Sequence, residues 1–405
     1  MERAPRCGTI SYVNNPLSSS RSIRPKLYWD TTSMRIAVLG IKSLPAFAGA
    51  DRVVEILLRH LPPEHSYHVY VATRDRPNMP DLTNVHFIYI PALTGKHLRA
   101  FSYFLFCSLH SLFLGDYDVA HVHNSDFGLL CAILKLKRGT KIVGTFHGNP
   151  YERAKWGRIA KAYLKLSESC FVLFADRLTS VSRFKKSERK PVSYIPNGID
   201  TDFAISESGG FDYGAYQIEI GQYILFACGR LDSTKGLHTL LEAFCSLTIP
   251  LKLFAIGDFS HDRQYADRIE ALARPRKDIV LHRTLLAKPI LLEILRGARL
   301  FVFPSEVEAM SMMLLEAVSL KTLVVCSDIS ENREVMGDNY KYLFKVKSAT
   351  DLSEKITGAL RERDVDATME GVLERCRKEF SWDAIAHKYV AIYEAAYRDL
   401  SHFVQ

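Results

Sequence analysis

The chain has 405 residues, of which 47% are hydrophobic and 24% charged, and its formal net charge is +8. These values are ordinary for a soluble globular protein of two or three domains. Its 8 cysteines are scattered and include no C-x-x-C pair, which argues against a zinc knuckle or a disulfide framework and favours a reducing cytoplasm. No segment reaches the roughly 18 apolar residues that a membrane-spanning helix needs.

The first half of the chain alternates short apolar strands with amphipathic helices. Residues 1–33 lack the apolar region of a signal peptide, and we expect them to form a poorly ordered extension. Right-handed βαβ units build a doubly wound parallel sheet, so we predict a Rossmann-like domain over residues 34–205. Its strands are predicted at 34–40, 68–72, 85–90, 119–123, 141–147, 177–181 and 193–196, and its helices at 52–60, 101–114, 127–136 and 153–176.

The same pattern restarts after a connection at 197–222 that is rich in Gly, Asp and Ser. We predict a second Rossmann-like domain at 206–381 and a final amphipathic helix within 382–405. Two such halves place a ligand cleft between the carboxyl ends of their sheets. The strands of the second half are predicted at 223–228, 251–256, 279–282, 300–303 and 322–326. Its helices are predicted at 237–245, at 289–297 and from Ser311 onward, and further helices fill the end of the chain.

Positive charge is concentrated in the first half. Residues 34–204 contain 23 Lys and Arg against 14 Asp and Glu, a formal charge of +9. Such a half could meet a membrane surface, nucleic acid or another polyanion, or it could form the basic rim of a phosphate cleft.

The stretch 300–318 reads as a buried strand, a short loop and a helix that Ser311 caps. Glu308 lies in the loop and Glu316 in the second turn of the helix. The loop backbone and the helix N-terminus favour anions, while the two carboxylates can hold hydroxyl groups. A nucleotide-sugar carries both kinds of group. The alternative is that both glutamates are solvated surface acids.

A second motif, Gly229-Arg230-x4-Lys235-Gly236, follows a predicted strand and precedes a helix. Arg can fork onto phosphate oxygens and Lys adds a point charge. When a nucleotide-sugar reacts, negative charge grows on the leaving diphosphate, and a well-placed donor lowers the barrier by roughly 3 to 4 kcal/mol. The alternative is a basic surface turn.

Histidines and D-x-D triplets are further candidates. His147 ends a strand, is followed by Gly148 and is predicted to face the cleft mouth, although a lone strand-end histidine is more often structural. His121 and His123 share a strand face without a carboxylate or Cys at ligand spacing, and we interpret them as structural. The triplets Asp116-Tyr-Asp118 and Asp200-Thr-Asp202 are interpreted as caps and turns, and we expect no metal ion.

Taken together and in their order along the chain, His147, Gly229-Arg230-x4-Lys235 and Glu308-x7-Glu316 resemble the signature of retaining GT-B glycosyltransferases of family 4. Ala309 and Ser311 stand where that family usually has Gly, and Met313 where Pro is common. The loop 45–54 resembles the family's Gly-Gly-x-Glu-x-x-Val loop, with Ala48 and Asp51 substituted and Gly49 retained. Arg153-Ala-Lys-Trp156 resembles the wording of bacterial polysaccharide rhamnosyl- and hexosyltransferases.

The resemblance implies a GT-B fold, which consists of two Rossmann-like domains with a cleft between them, and a final helix that crosses back to the first domain. It implies transfer of a sugar, with retention, from a nucleotide-diphosphate-sugar to a glycan or glycolipid acceptor in polysaccharide or cell-envelope biosynthesis, without a cofactor. By the same resemblance Arg230 and Lys235 hold the diphosphate, Glu316 the ribose, and Glu308 the donor sugar that His147 helps to place. The nucleotide-sugar site would also include Gly49, Gly229, Ala309, Met310 and Ser311.

Residues 153–165 combine basic and aromatic side chains that could lie on an anionic membrane, or they could form a core-packed helix with a solvated basic face. We therefore expect a cytoplasmic protein, peripheral on the inner membrane face if this helix binds lipid, and no nucleic-acid partner. Two other functions remain open: a nucleotide-sugar epimerase of the same fold, and a catalytically silent scaffold that binds nucleotide-sugars.

Overall fold

A computed structural model describes residues 33–401 except 42–43, 45, 47–48, 73–81, 94–97, 149–156 and 201–209. Within these ranges the chain forms a seven-stranded sheet and a six-stranded sheet. Neighbouring strands are parallel in both sheets. This confirms the predicted pair of α/β domains. The predicted N-terminal extension and the predicted boundary at residue 205 lie outside the described residues.

The first sheet has the order β3-β2-β1-β4-β5-β6-β7, so the strand order reverses between β1 and β4. Ligands of doubly wound sheets bind at such a switch point, beyond the carboxyl ends of the strands. The strands are β1 (Arg35–Leu39), β2 (Ser66–Val71), β3 (Val85–Tyr89), β4 (Val119–His123), β5 (Lys141–Phe146), β6 (Arg177–Ser180) and β7 (Val192–Tyr194). The helices are α1 (Ala50–His60), α2 (Leu98–Phe113), α3 (Gly128–Leu134) and α4 (Arg158–Phe174).

The second sheet has the order β10-β9-β8-β11-β12-β13 and reverses between β8 and β11. Its strands are β8 (Tyr223–Arg230), β9 (Lys252–Asp258), β10 (Ile279–His282), β11 (Leu300–Phe303), β12 (Val324–Ser327) and β13 (Leu343–Phe344). Its helices are α5 (Leu237–Ser246), α6 (Arg263–Ala273), α7 (Lys288–Gly297), α8 (Met312–Ser319), α9 (Ser330–Met336), α10 (Ala349–Leu360) and α11 (Val365–Glu379).

Several elements of the second half differ from the sequence prediction, among them β13, which has only two residues and was not predicted. Strand β8 does not end at Cys228 but continues through Arg230, because an irregularity between Ala227 and Arg230 lets it pair again with Asp258 of β9. Helix α6 was not predicted. Its N-cap, Asp262, accepts a hydrogen bond from the Tyr265 amide, and its buried face is short and rich in alanine, so its apolar period is weak.

The last helix, α12 (Trp382–Ser401), packs on the first half of the molecule. Trp382, Ile385 and Tyr393 are buried in one cluster with side chains of β1 and α1. At the crossing, a Cβ on Gly198 would lie 2.2 Å from the Trp382 ring, so only glycine allows this approach. Helix α12 thus completes the hydrophobic core of the first half.

Among the described helices, none has both the length and the apolar composition required to cross a membrane.

Candidate active site

The ten side chains and glycines that the sequence analysis selected all line one cleft between the two halves. They reach it from the ends of β5, β8 and β11, from the start of α8, and from the turn before α1. The cleft has a volume of about 250 Å³. The selected residues are Gly49, His147, Gly229, Arg230, Lys235, Glu308, Ala309, Met310, Ser311 and Glu316.

The turn after β8 is held in one position by local contacts. Asp232 caps a short 3₁₀ turn at Ser233–Lys235 by accepting from the Thr234 amide at 3.0 Å. Gly236 has a φ of +68°, and a Cβ there would lie 2.0 Å from the carbonyl oxygen of Pro304. Glycine therefore lets the β8 turn lie directly against the end of β11, which brings Lys235 to the Glu308 loop.

The loop after β11 is tied to both halves. The Glu306 amide donates to the Thr234 carbonyl at 2.7 Å, and the Asn197 side-chain amide donates to the Met310 carbonyl at 2.9 Å. Ser311 is the N-cap of α8, as predicted, and accepts from the Leu314 amide at 3.4 Å. These bonds fix the loop that carries Glu308 at the mouth of the cleft.

Both glutamates of the E-x7-E motif are ion-paired. Lys235 Nζ lies 2.6 Å from Glu308 Oε1, and Lys288 Nζ donates to Glu316 Oε2. Glu316 is only 2% exposed, and its other oxygen, Oε1, has no hydrogen-bond partner in the part of the chain that the structure describes. Glu316 is thus a buried carboxylate with one occupied and one available acceptor atom.

Sequence reasoning missed Lys288. This residue lies at the first position of α7 and lines the cleft. A cation at a helix N-terminus opposes the helix dipole, and that mismatch was the signal that could have singled it out. Its partner Glu316 is 28 residues away in sequence, so the pair itself was not predictable from spacing.

Two histidines meet at the first half's side of the cleft. His147 Nε2 and His123 Nδ1 are joined by a hydrogen bond of 2.9 Å. Burial lowers the pKa of His147 to about 4 and that of His123 well below its usual range. Both rings are therefore neutral at pH 7. His123, which the sequence analysis interpreted as structural, holds His147 directly.

His121 lies deeper, without access to the cleft. Its ring bonds to Thr145 Oγ1 and to Tyr393 OH of α12, each at 2.7 Å. Burial lowers its pKa to about 3. These contacts agree with the structural interpretation of His121.

The start of α1 contributes a glycine and a further cation to the lining of the cleft. Gly49 is the N-cap of α1 with a φ of +66°. Arg52 also lines the cleft, where its Nη1 lies 2.9 Å from Glu55 Oε2, and both side chains are mostly buried. Residues 45, 47 and 48 of the predicted glycine-type loop lie outside the described residues.

The D-x-D triplets do not reach the cleft where the structure describes them. Asp118 accepts from the Arg35 amide at 2.7 Å, and Asp116 lies 3.5 Å from the Arg35 side chain, so the first triplet forms a turn before β4. Asp202 of the second triplet lies outside the described residues. Among the described residues, no group of three or more His, Cys, Asp or Glu side chains is placed to hold a metal ion.

Two family profiles match the chain. The profile described as Glycosyltransferase Family 4 matches residues 47–203, and that described as Glycosyl transferases group 1 matches residues 214–371. An alpha-maltose-1-phosphate synthase of Mycolicibacterium smegmatis is 26% identical over 305 residues, which are 68% of this chain and 78% of that protein. The UDP-Gal:alpha-D-GlcNAc-diphosphoundecaprenol alpha-1,3-galactosyltransferase of Escherichia coli is 22% identical over 375 residues, 86% of this chain and 93% of that protein.

Solved structures share the fold. Sucrose-phosphate synthase from Thermosynechococcus elongatus superimposes with a TM-score of 0.73 at 18% identity, covering 90% of this chain and 100% of that one. The Anabaena protein HepE, in complex with UDP and glucose, does so with a TM-score of 0.69 at 14% identity, covering 89% and 100%.

The fold and the cleft therefore define a GT-B glycosyltransferase. The chain belongs to glycosyltransferase family 4, as its motifs predicted, and is an enzyme of glycan biosynthesis.

Proposed function

We propose that the chain transfers a sugar from a nucleotide-diphosphate-sugar to a glycan or lipid-linked acceptor, with retention at the anomeric carbon. The observation that carries this proposal is the convergence of two cations and two acids in one cleft. Lys235 is paired with Glu308, and Lys288 with Glu316. Cations suit a diphosphate and carboxylates suit sugar hydroxyls, and a nucleotide-sugar presents both.

The diphosphate would bind Arg230 and Lys235. Lys235 holds Glu308 at 2.6 Å, so the arriving diphosphate takes over this lysine and releases the Glu308 carboxylate. As the bond between the sugar and the diphosphate breaks, charge grows on the phosphate oxygens. The fixed cations stabilise that charge without having to reorganise. We propose that they do so without a metal ion.

Glu316 would bind the ribose. Its Oε1 is buried and has no partner among the described residues, which is costly for a charged group unless a ligand completes it. A ribose hydroxyl can donate to this atom while Lys288 keeps the other oxygen. The lysine thus holds one oxygen of the carboxylate and leaves Oε1 as the acceptor that a ribose hydroxyl would complete.

The sugar ring would lie between Glu308 and His147. A neutral His147 can bond to a sugar hydroxyl but is a poor proton source at pH 7, because its pKa is about 4. We therefore assign proton transfer to the substrates. The acceptor oxygen bonds to the anomeric carbon on the face that the diphosphate leaves, and the acceptor's proton passes to a departing phosphate oxygen. Attack from that face retains the configuration.

A nucleotide screen tests the donor site. UDP-, GDP-, dTDP- and ADP-sugars are added to the protein, and thermal stabilisation and nucleotide release are followed in the wild type, Lys235→Ala and Glu316→Ala. We expect one nucleotide class to stabilise the wild type and both variants to lose that stabilisation. Lys378→Ala and Glu354→Ala, which change exposed side chains on α11 and α10, should behave as the wild type. Stabilisation by none of the donors contradicts the proposal.

Helix α4 supports a membrane-bound acceptor. One stripe of this helix exposes Ile159 (89%), Tyr163, Leu166 (55%) and Leu173, while another face packs into the core. By helical periodicity Arg158 and Lys165 lie on one flank of the stripe, a composition that favours the surface of an anionic bilayer. Arg153, Lys155 and Trp156 of the predicted segment lie outside the described residues.

We propose that α4 rests on an anionic membrane and that the acceptor is lipid-linked. The Escherichia coli relative acts, by its name, on a diphosphoundecaprenol, which supports this class of acceptor. The seven described cysteines are free thiols, which supports a cytoplasmic location, with the protein peripheral on the inner membrane face.

Flotation with liposomes tests the membrane site. At low salt the wild type should float with vesicles that contain phosphatidylglycerol and remain behind with pure phosphatidylcholine. Leu166→Ser combined with Lys165→Glu should abolish flotation, whereas Leu136→Ser, which changes an exposed leucine outside α4, should not. Absence of the wild type from the anionic vesicle fraction contradicts this site.

A further inference from the structure

A second cavity, of about 740 Å³, opens beside the cleft. Its volume falls within the range of about 300–1,000 Å³ that small-molecule sites occupy. The two spaces share Gly148, Val307, Glu308 and Ala309. Gly148 has a φ of +111°, and a Cβ there would lie 3.5 Å from Cβ of Ala309. The two halves of the molecule therefore almost touch where the spaces meet.

One wall of the second cavity is acidic. It comes from the loops after β11 and β12 and presents Glu306, Glu308, Asp328 and Glu331. The first three have cationic partners that do not themselves line this cavity. Glu306 lies 3.2 Å from Lys347, Glu308 lies 2.6 Å from Lys235, and Asp328 lies 3.6 Å from Arg333.

Glu331, the fourth acid of this wall, has an environment different from that of the other three. Burial raises the pKa of its carboxyl, and the neighbouring Glu334 and Glu308 add to the rise. A carboxyl group in this setting is stabilised by a hydroxyl donor that replaces the water lost on burial, and it is destabilised by a further negative charge nearby.

The opposite wall comes from the first half and offers hydroxyls and an aromatic ring. Ser182 Oγ accepts from the Phe184 amide at 3.2 Å, and Ser180 Oγ accepts from the Ser182 amide at 3.1 Å. Phe184 is 50% exposed. Lys185 also lines the cavity, but its Nζ lies 2.6 Å from Glu168 and 4.6 Å from the centre of the Phe146 ring, so its charge is already engaged.

We propose that the second cavity binds the glycan part of the acceptor, a site that rests on the proposed glycosyl transfer. Sugar hydroxyls donate to carboxylates such as Glu331, and the apolar face of a sugar ring packs on Phe184. Glu306, Glu308 and Asp328 already have cationic partners and Lys185 is paired with Glu168, so this cavity offers little free positive charge to a diphosphate and suits the uncharged hydroxyls of a glycan better. The gap between Gly148 and Ala309 then directs the accepting hydroxyl toward the donor sugar.

Saturation-transfer NMR tests the cavity with methyl α-glycosides of glucose, galactose, mannose and N-acetylglucosamine, and with phosphorus detection of inorganic pyrophosphate. We expect saturation of at least one methyl glycoside. Phe184→Ala and Glu331→Gln should each weaken its binding by about two- to tenfold, the loss of one hydrogen bond or ring contact. Phe113→Ala and Glu354→Gln change an exposed ring and an exposed acid elsewhere and serve as matched controls.

Donor binding is measured in the same variants by thermal stabilisation with UDP, GDP, dTDP and ADP. Because neither variant touches Lys235 or Glu316, this stabilisation should be unchanged. Binding of no methyl glycoside, equal binding by both cavity variants and the wild type, or pyrophosphate binding that the cavity variants lose would overturn the glycan site. If no nucleotide stabilises the wild type, that result would instead count against the donor site, so the two failures are distinguishable.

Discussion

The two halves of the molecule contribute different sets of residues to the shared cleft. The second half contributes charges, which are arranged in the pairs Lys235–Glu308 and Lys288–Glu316. The first half contributes a neutral histidine, His147, held by a second neutral histidine, together with Gly49 and one cation, Arg52, which is paired with Glu55 of its own helix.

The difference follows from where each residue lies in its sheet. His123 ends β4, a strand that pairs with β1 and β5 in the interior of the first sheet, where a charge would lose its hydration. Lys235 and Glu308 lie in turns beyond their strands, and their side chains are 23% and 13% exposed. The charged pairs thus lie in turns at the cleft, where we propose that a diphosphate binds, whereas the neutral histidine pair extends from the buried interior of the first sheet.

The largest effect we expect comes from removing a charge. Lys235→Ala should lower kcat/KM by about 10²–10³-fold, because the growing charge on the diphosphate loses a fixed cation and Glu308 loses its partner. His147→Phe removes only neutral hydrogen bonds and should cost about tenfold or less. Steady-state kinetics with the donor found in the screen give both numbers. A larger loss for His147→Phe than for Lys235→Ala would break the comparison.

Acid should destabilise the protein through the buried histidines of the first half. His121 and His147 have pKa values of about 3 and 4 in the folded protein, against about 6.5 in the unfolded chain. The unfolded state therefore binds more protons between pH 6.5 and pH 4, and stability falls as pH falls through this window. The loss is up to about 1.4 kcal/mol per pH unit for a fully buried histidine.

Urea unfolding at pH 7.0, 6.0 and 5.0 checks this slope. His121→Asn should flatten it, while His387→Asn, a change on the exposed face of α12, should leave it unchanged. A free energy of unfolding that is constant between pH 7 and pH 5 contradicts the neutral histidine core.

Breaking the contact between α12 and the first sheet should lower the free energy of unfolding by less than acid does. Tyr393→Phe removes the hydroxyl that bonds to His121 Nδ1 at 2.7 Å and leaves a buried ring nitrogen unpaired, which costs about 1–3 kcal/mol. Denaturant titration measures the loss. Tyr397→Phe, on the half-buried side of the same helix, is the control, and equal stability of the two variants would show that the Tyr393–His121 bond contributes nothing.

The smallest effect concerns the pair that Lys235 forms with Glu308. Glu308→Gln releases Lys235 from its carboxylate, so a nucleoside diphosphate without sugar should bind about two- to tenfold more tightly. The intact donor should gain less, because its sugar loses a charged acceptor. Calorimetric titration of the diphosphate and of the donor into both proteins gives the two ratios. Weaker binding of the free diphosphate would contradict the proposed exchange of partners.

Most of the fold could be predicted from the sequence, because its strands are short apolar runs between turn residues. β4, β10 and β11 have the predicted bounds, and the cap at Ser311 was predicted from local chemistry alone. α6 was not predicted, since its buried face is short and rich in alanine, although Asp262 was available as a capping signal. The end of β8 was misplaced because an irregular pairing with β9 decides it.

The candidate site divides in the same way. The order and spacing of Gly229-Arg230-x4-Lys235 and Glu308-x7-Glu316 selected residues that line one cleft, because each motif lies within a single turn or strand–loop–helix unit. What these residues contact was decided by tertiary structure.

The sequence by itself determined two α/β domains, a family and a set of residues at strand ends, since each depends on neighbours a few positions apart. Only the tertiary structure decided that Lys288 holds Glu316 and that His123 holds His147, across 28 and 24 residues. It also decided that Tyr393 reaches His121 across 272 residues. Pairs so distant in sequence meet only when sheets pack and α12 crosses back, and no local period or spacing encodes which side chains that packing brings together.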